Sequence, residues 1–336
     1  MKNTNIELMR LICIFSVISI HMSMGYFFNQ KIINSLDWNI SNAITALSKF
    51  SVPVFFIISS FLFFNKNETS ARDIPKKLTR VITPLIFWSF LYWYLRSKPE
   101  ENNNTMSFMT ALINNGASFH LWFLYTFIMY IPFLYIIKFC YNSLTRKTYI
   151  TIALIAILLI SVAPLLTSSL FGENPFYITT YHNAYRPDLL IYAIFTPLIA
   201  GVSGANKKIN LLIFTLSVVT SAFLTKKTSE TIGSPSELFY NLSSIFIFIS
   251  AFSIFNFIYE LKIKKPSLIK IINKLGECSF GVYLCHWLIY LTLDHLGLIF
   301  RNGVFTSIIL DTMIVTLLSF VTILIVRRVK FLKKIT

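Results

Sequence analysis

Arg10 and His21 bracket the stretch RLICIFSVISIH, and the ten residues between them are apolar except for Ser16 and Ser19. Both ionisable groups lie in what is otherwise the first half of a membrane helix. Charge at bilayer depth costs roughly 2.5–3.5 kcal/mol per residue even on lenient scales, so such groups need a partner or a use. Eleven steps along an α-helix return to within about 20° of the starting direction and rise about 16 Å. Arg10 and His21 therefore share one stripe at different depths. A neutral imidazole, with an ordinary pKa of about 6.5, can take the proton from a hydroxyl as its oxygen attacks a substrate. It can also accept an acyl group itself and pass it on. Arg10 can hold the donor or a carbonyl oxygen, and Glu7, one turn earlier, is placed to pair with it. The plainer alternative is an arginine reaching the interface and a histidine bonded between helices.

Other residues invite the same question. Lys76, Lys77 and Arg80 stand at a helix entry, spaced so that neighbouring side chains can meet phosphates. Their other reading is loop charge alone. His120 and Trp122 open a span, where a tryptophan is either an interfacial anchor or a platform for an acceptor. His286 lies mid-span with Tyr283 one turn before it. Asp188 and Asp311 are carboxylates that could orient His21. The chain shows no Ser-His-Asp arrangement, no nucleotide-binding loop and no metal-ligand spacing, so no metal is expected.

The elements that must position these groups are membrane helices. Of 336 residues 55% are hydrophobic, 33 are phenylalanine and only 13% are charged, which describes an all-α polytopic membrane protein. Apolar segments near the ~20 residues that span a bilayer fall at 8–28, 43–64, 80–97, 119–139, 149–170, 188–204, 209–225, 239–259, 278–297 and 304–326. About ten transmembrane helices are expected, with loops at 97–107, 171–188 and 226–237. A single transmembrane domain over 1–336 is expected, with no internal repeat. The net charge of +16 sits in short loops rather than on a basic face, which argues against a nucleic-acid partner. Most of the 30 Lys and Arg residues fall in the intervals that are cytoplasmic if the amino terminus is, so both termini are expected inside. The opening MKNTNIELMR is weakly basic and reads as the approach to an uncleaved first helix. None of the four cysteines falls in an outer loop, which disfavours a structural disulfide.

The set of motifs resembles the membrane-bound acyltransferase family 3, bacterial O-acyltransferases of surface polysaccharides and other exported molecules. Arg10 and His21 match that family's first-span signature. FSVPVFFIISSFLFF at 50–64 resembles its second span, where glycine is commoner than Ser60. KKLTRVITPLIFW at 76–88 resembles its basic loop, with Lys77 and Arg80 in place of an Arg-x-x-Arg pair. FHLWFLYTF at 119–127 and GECSFGVYLCH at 276–286 resemble later signatures, in order. The arrangement is most similar to the stand-alone branch that includes the enterobacterial common antigen O-acetyltransferase. The resemblance implies His21 and Arg10 as catalytic residues and Lys76, Lys77 and Arg80 as acyl-CoA contacts. His120, Trp122, Tyr283 and His286 stand as acceptor contacts. It implies acetyl-CoA as donor, membrane lipids and a surface glycan or lipid-linked oligosaccharide as partners, and the bacterial inner membrane as location. An exporter of lipid-linked sugars is the alternative, although repeated halves or paired broken helices, which mark transporters, are not visible.

Overall fold

The computed structural model describes residues 3–29, 33–96, 107–114, 117–171, 185–201 and 206–336, and among these every regular element is helical. In chain order these are α1 (Thr4–Phe27), α2 (Leu36–Ser48), α3 (Ser51–Phe64), α4 (Ile74–Arg96), α5 (Phe108–Ile113), α6 (Trp122–Ser143), α7 (Arg146–Ile157) and α8 (Ala163–Phe171). They continue with α9 (Leu190–Ile199), α10 (Lys207–Ile232), α11 (Ile245–Tyr259), α12 (Pro266–Gly276), α13 (Ser279–His295) and α14 (Val304–Val326). Seven helical stretches among the described residues are long and apolar enough to cross a membrane, and the chain is a multi-pass membrane protein. The predicted segments 80–97, 188–204 and 278–297 fall on α4, α9 and α13, which are helical but more polar or shorter. Most of the predicted loops 97–107 and 171–188 lies outside the described residues.

One predicted loop is corrected. Much of 226–237 is the end of α10, which runs to Ile232 and stops at Gly233 in the left-handed region, φ 67°. Its polar residues are accommodated because Ser217, Ser221, Thr225 and Ser229 recur every four residues and are all buried. Lys226 and Lys227 both reach Glu230, at 3.8 and 3.6 Å, along the same turn. Small residues on one stripe let helix backbones approach closely, and this stripe faces α11 and α2.

α1 is the hub, touching α2, α3, α11, α12, α13 and α14. Its serines fit that role. Ser23 is buried, its Oγ lies 3.0 Å from Thr45 Oγ1, and its carbonyl accepts from Ser41 Oγ at 2.9 Å. Between α2 and α3 the helix breaks at Lys49 and Phe50. Pro53 has no N–H to give to the Lys49 carbonyl four residues back, which ends the ladder there. The departure at Ser60 is absorbed by a hydroxyl pair, Ser60 Oγ to Tyr130 OH at 2.7 Å, with both residues fully buried.

Two ends of the bundle are pinned separately. At one, Asn5 Nδ2 donates to the carbonyls of Tyr259 (2.7 Å) and Leu261 (2.9 Å). Lys138 Nζ caps the end of α3 through the Lys66 carbonyl at 2.8 Å, a cation on orphan helix carbonyls. Arg327 Nη1 donates to the Glu277 carbonyl. α12 packs so closely on α1 that a Cβ on Gly276 would collide with Glu7. At the other end Trp38 stacks on Phe27 and donates from Nε1 to the Phe27 carbonyl at 2.9 Å. There Tyr240 OH donates to Asn42 Oδ1 at 2.5 Å. The first end carries most of the loop lysines and is called the basic end below.

Candidate functional site

At the basic end a cavity of about 310 Å³ is lined by Arg10, Arg80 and Glu277, together with Ser59, Ser279 and apolar groups from α1, α3, α4, α6 and α13, among them Val52, Phe55 and Phe127. Arg10 reaches it already paired, its Nη1 2.9 Å from Glu7 Oε1. Glu7 is 6% exposed, so the predicted pair is what makes a carboxylate tolerable at this depth. A second hollow of about 240 Å³ shares Ser59, Arg80, Val81 and Phe127 with the first and adds Lys66 and Lys77. Lys77 Nζ donates to Tyr135 OH at 2.7 Å and lies 4.4 Å from the centre of the Phe63 ring, a cation held by aromatic faces. Lys76 is exposed and lines neither hollow. Three of the predicted donor contacts are thus brought to one region, namely Arg10, Lys77 and Arg80, and Lys76 is left at its edge.

From the opposite end a cavity of about 200 Å³ reaches His21, His120, Trp122 and Tyr283. His21 Nδ1 lies 3.4 Å from Met24 Sδ. A thioether only accepts, so Nδ1 carries the proton and Nε2 presents its lone pair. Nε2 has no hydrogen-bond partner among the described residues. His21 is also fenced by rings. His286 stacks on it with centroids 5.3 Å apart, and Phe119 meets it edge-on at 5.2 Å. His286 is fully buried, and its Nδ1 donates to the Tyr283 carbonyl at 2.6 Å. Tyr283 OH donates to the His120 carbonyl, and Ser118 Oγ lies 2.8 Å from His120 Nδ1. The predicted acceptor residues therefore form one cluster around His21, with Trp122 on the cavity wall and His286 behind the imidazole.

The two cavities meet back to back. Val17, Val52, Phe123 and Tyr283 line both. Arg10, Val17 and His21 lie on one face of α1, with Arg10 on the basic side of that wall, His21 on the other and Val17 between them. The stripe expected from the spacing is realised. Neither carboxylate considered for orienting His21 does so. Asp188 pairs with Arg186, and Asp311 Oδ1 accepts from the Phe300 amide at 3.1 Å.

Several wall residues were not anticipated. Lys49 and Arg186 count as outer-loop charge in the topology argument, yet both line the His21 cavity with Glu237 and Asn241. Lys49 sits where α2 breaks, inside a predicted span, and an isolated lysine four residues before a proline in an apolar run is the available signal. Among the described residues no group of three His, Cys, Asp or Glu side chains is arranged to hold a metal ion.

A multi-pass bundle, all-helical among the described residues, with two cavities meeting back to back, defines the class as a helical membrane protein with a divided interior hollow. A family model described as an acyltransferase domain, that of acyltransferase family 3, matches residues 3–328. The chain belongs to that family and is a membrane acyltransferase. No curated protein and no solved structure matches it.

Proposed function

We propose that the protein moves an acetyl group from acetyl-CoA to a hydroxyl of a surface polysaccharide or its lipid-linked precursor, as one transmembrane domain. The observation that carries this is the wall shared by the two cavities, with Arg10 on one side and His21 on the other. The basic end faces the cytoplasm of the bacterial inner membrane in this reading, following the excess of Lys and Arg there. Arg80 and Lys77 take the CoA phosphates as charge-assisted bonds. The apolar cavity admits the thin pantetheine arm, and Arg10 steadies the thioester end.

At the wall His21 Nε2 is the base. The acceptor O–H gives its proton to Nε2 while its oxygen bonds to the thioester carbonyl carbon. The C–S bond then breaks, and the thiolate leaves with the proton that the imidazolium returns. The acyl-histidine route uses the same nitrogen as nucleophile and balances in two steps. Membership of an acyltransferase family favours this reading over an exporter, which leaves the Arg10–His21 stripe without a task. The test is incubation of membranes with labelled acetyl-CoA and candidate glycans. Base-labile label on glycan with the wild type, and none with His21→Ala at equal abundance, is the expected result. Equal labelling in both would remove His21 from the chemistry.

A further inference from the structure

The cavity beside His21 carries charges that acyl transfer itself leaves unused. Lys49, Glu237, Arg186 and Asn241 all line it. Each cation is already matched. Lys49 Nζ lies 2.7 Å from Glu237 Oε1. Arg186 forks onto Asp188, with Nε to Oδ1 at 2.9 Å and Nη2 to Oδ2 at 2.6 Å, and its Nη2 also donates to Asn241 Oδ1 at 2.8 Å. Lys49 and Glu237 are 188 residues apart in the chain and Arg186 and Asn241 are 55 apart, so only folding assembles the group. The two ion pairs together carry no net charge.

That balance discriminates between ligands. An anion entering must compete with Glu237 or Asp188 for the cations while losing its own hydration. A neutral polyol meets no such competition. Carboxylate and amide oxygens accept from its hydroxyls, while ammonium and guanidinium N–H groups donate to them. Trp122 and Phe119 line the same cavity and offer ring faces to the apolar side of a pyranose. About 200 Å³ gives room for a single ring.

We propose that this cavity is an acceptor subsite for one uncharged sugar ring of a glycan, held by Lys49–Glu237 and by Arg186 and Asn241, with Asp188 behind Arg186 balancing its charge, beside His21. The assignment of the ring as acceptor rests on the acyl-transfer reading; its binding does not. Saturation-transfer NMR on the purified full-length protein in detergent, without acyl-CoA, compares neutral methyl glycosides with methyl glucuronide and glucose 6-phosphate. At least one neutral glycoside is expected to bind about tenfold more tightly than either anion. Glu237→Gln leaves Lys49 uncompensated and should invert that order. The double variant Lys49→Met with Glu237→Gln is again charge-balanced. It should keep the neutral preference at weaker affinity, and it carries the test if the single variant does not fold. Tighter binding of either anion to the wild type, no glycoside binding at all, or a double variant with undiminished affinity would overturn the subsite. Glycoside binding without any acyl transfer would reject the proposed function and leave the subsite standing. His21-dependent acetyl transfer to a polysaccharide without binding of any glycoside would do the reverse.

Discussion

The two cavities on either side of the wall are built on opposite electrostatic plans. At the basic end Arg80 is exposed and makes no ion pair among the described residues, and Lys77 is held by a phenol and two rings rather than by a carboxylate. Arg10 is paired with Glu7 and Glu277 also lines the cavity, so the excess positive charge there rests on Arg80 and Lys77, which suits a ligand that brings several phosphates. On the far side Lys49 and Arg186 are each locked to a carboxylate before anything binds. Uncompensated cations recruit charge, whereas matched pairs present directional donors and acceptors without a field. In the proposed reading the same residue types serve a long anionic donor at one end and a polar, uncharged acceptor at the other. What joins them is a single face of α1.

That contrast breaks most completely at the centre. His21→Ala should lower glycan acylation by at least about 100-fold, the usual scale for losing a positioned base. Abundance in the membrane should hold, since removing a polar group does not hinder insertion; immunoblots of membranes alongside glycan acetyl analysis check both. Arg10→Lys keeps the charge but loses the planar fork that engages Glu7. About a tenfold loss of activity with little change in thermal stability is expected, read from initial rates and a melting curve. A larger loss of stability than of activity would make Arg10 a structural residue.

Smaller effects sharpen the comparison at the donor end. Arg80→Ala should raise the KM for acetyl-CoA about fivefold, at about 1 kcal/mol for a solvent-exposed charge contact, with kcat nearly unchanged. Lys77→Ala should do the same more mildly, because Tyr135 and Phe63 already occupy part of its charge. Lys76→Ala should change neither, since the side chain lies outside both hollows. Steady-state kinetics on the three variants ranks them. Equal effects at Lys76 and Arg80 would reduce the basic entry to topology alone.

How much of this was legible in the chain follows from where each interaction is made. The Arg10–His21 stripe and the Glu7 partner lie within one helix, so 3.6-residue periodicity is enough to find them. The helices themselves announce their apolar length, and the ten predicted segments all fall on helices. The Lys49–Glu237 pair and the Arg186–Asn241 contact join distant segments, so no local spacing shows them, and loop-charge counting puts Lys49 and Arg186 in water. The tail of α10 has the polar composition of a loop, but Ser229 is buried on the helix's serine and threonine stripe while Lys226 and Lys227 pair with Glu230 along the turn, and composition shows neither. α12 was not anticipated either. It is too short to span, and its buried positions Ile272 and Gly276 make sense only once Glu7 is seen against Gly276.

In the proposed reading, donor and acceptor approach the wall from opposite faces of the membrane. Vesicles of both orientations, loaded with labelled acetyl-CoA outside only and carrying glycan acceptor inside only, test this directly. Inverted vesicles, with the basic end outward, should acetylate the enclosed glycan in a His21-dependent manner, while right-side-out vesicles should not. Label on the enclosed glycan from right-side-out vesicles, or equal label from both, would contradict it.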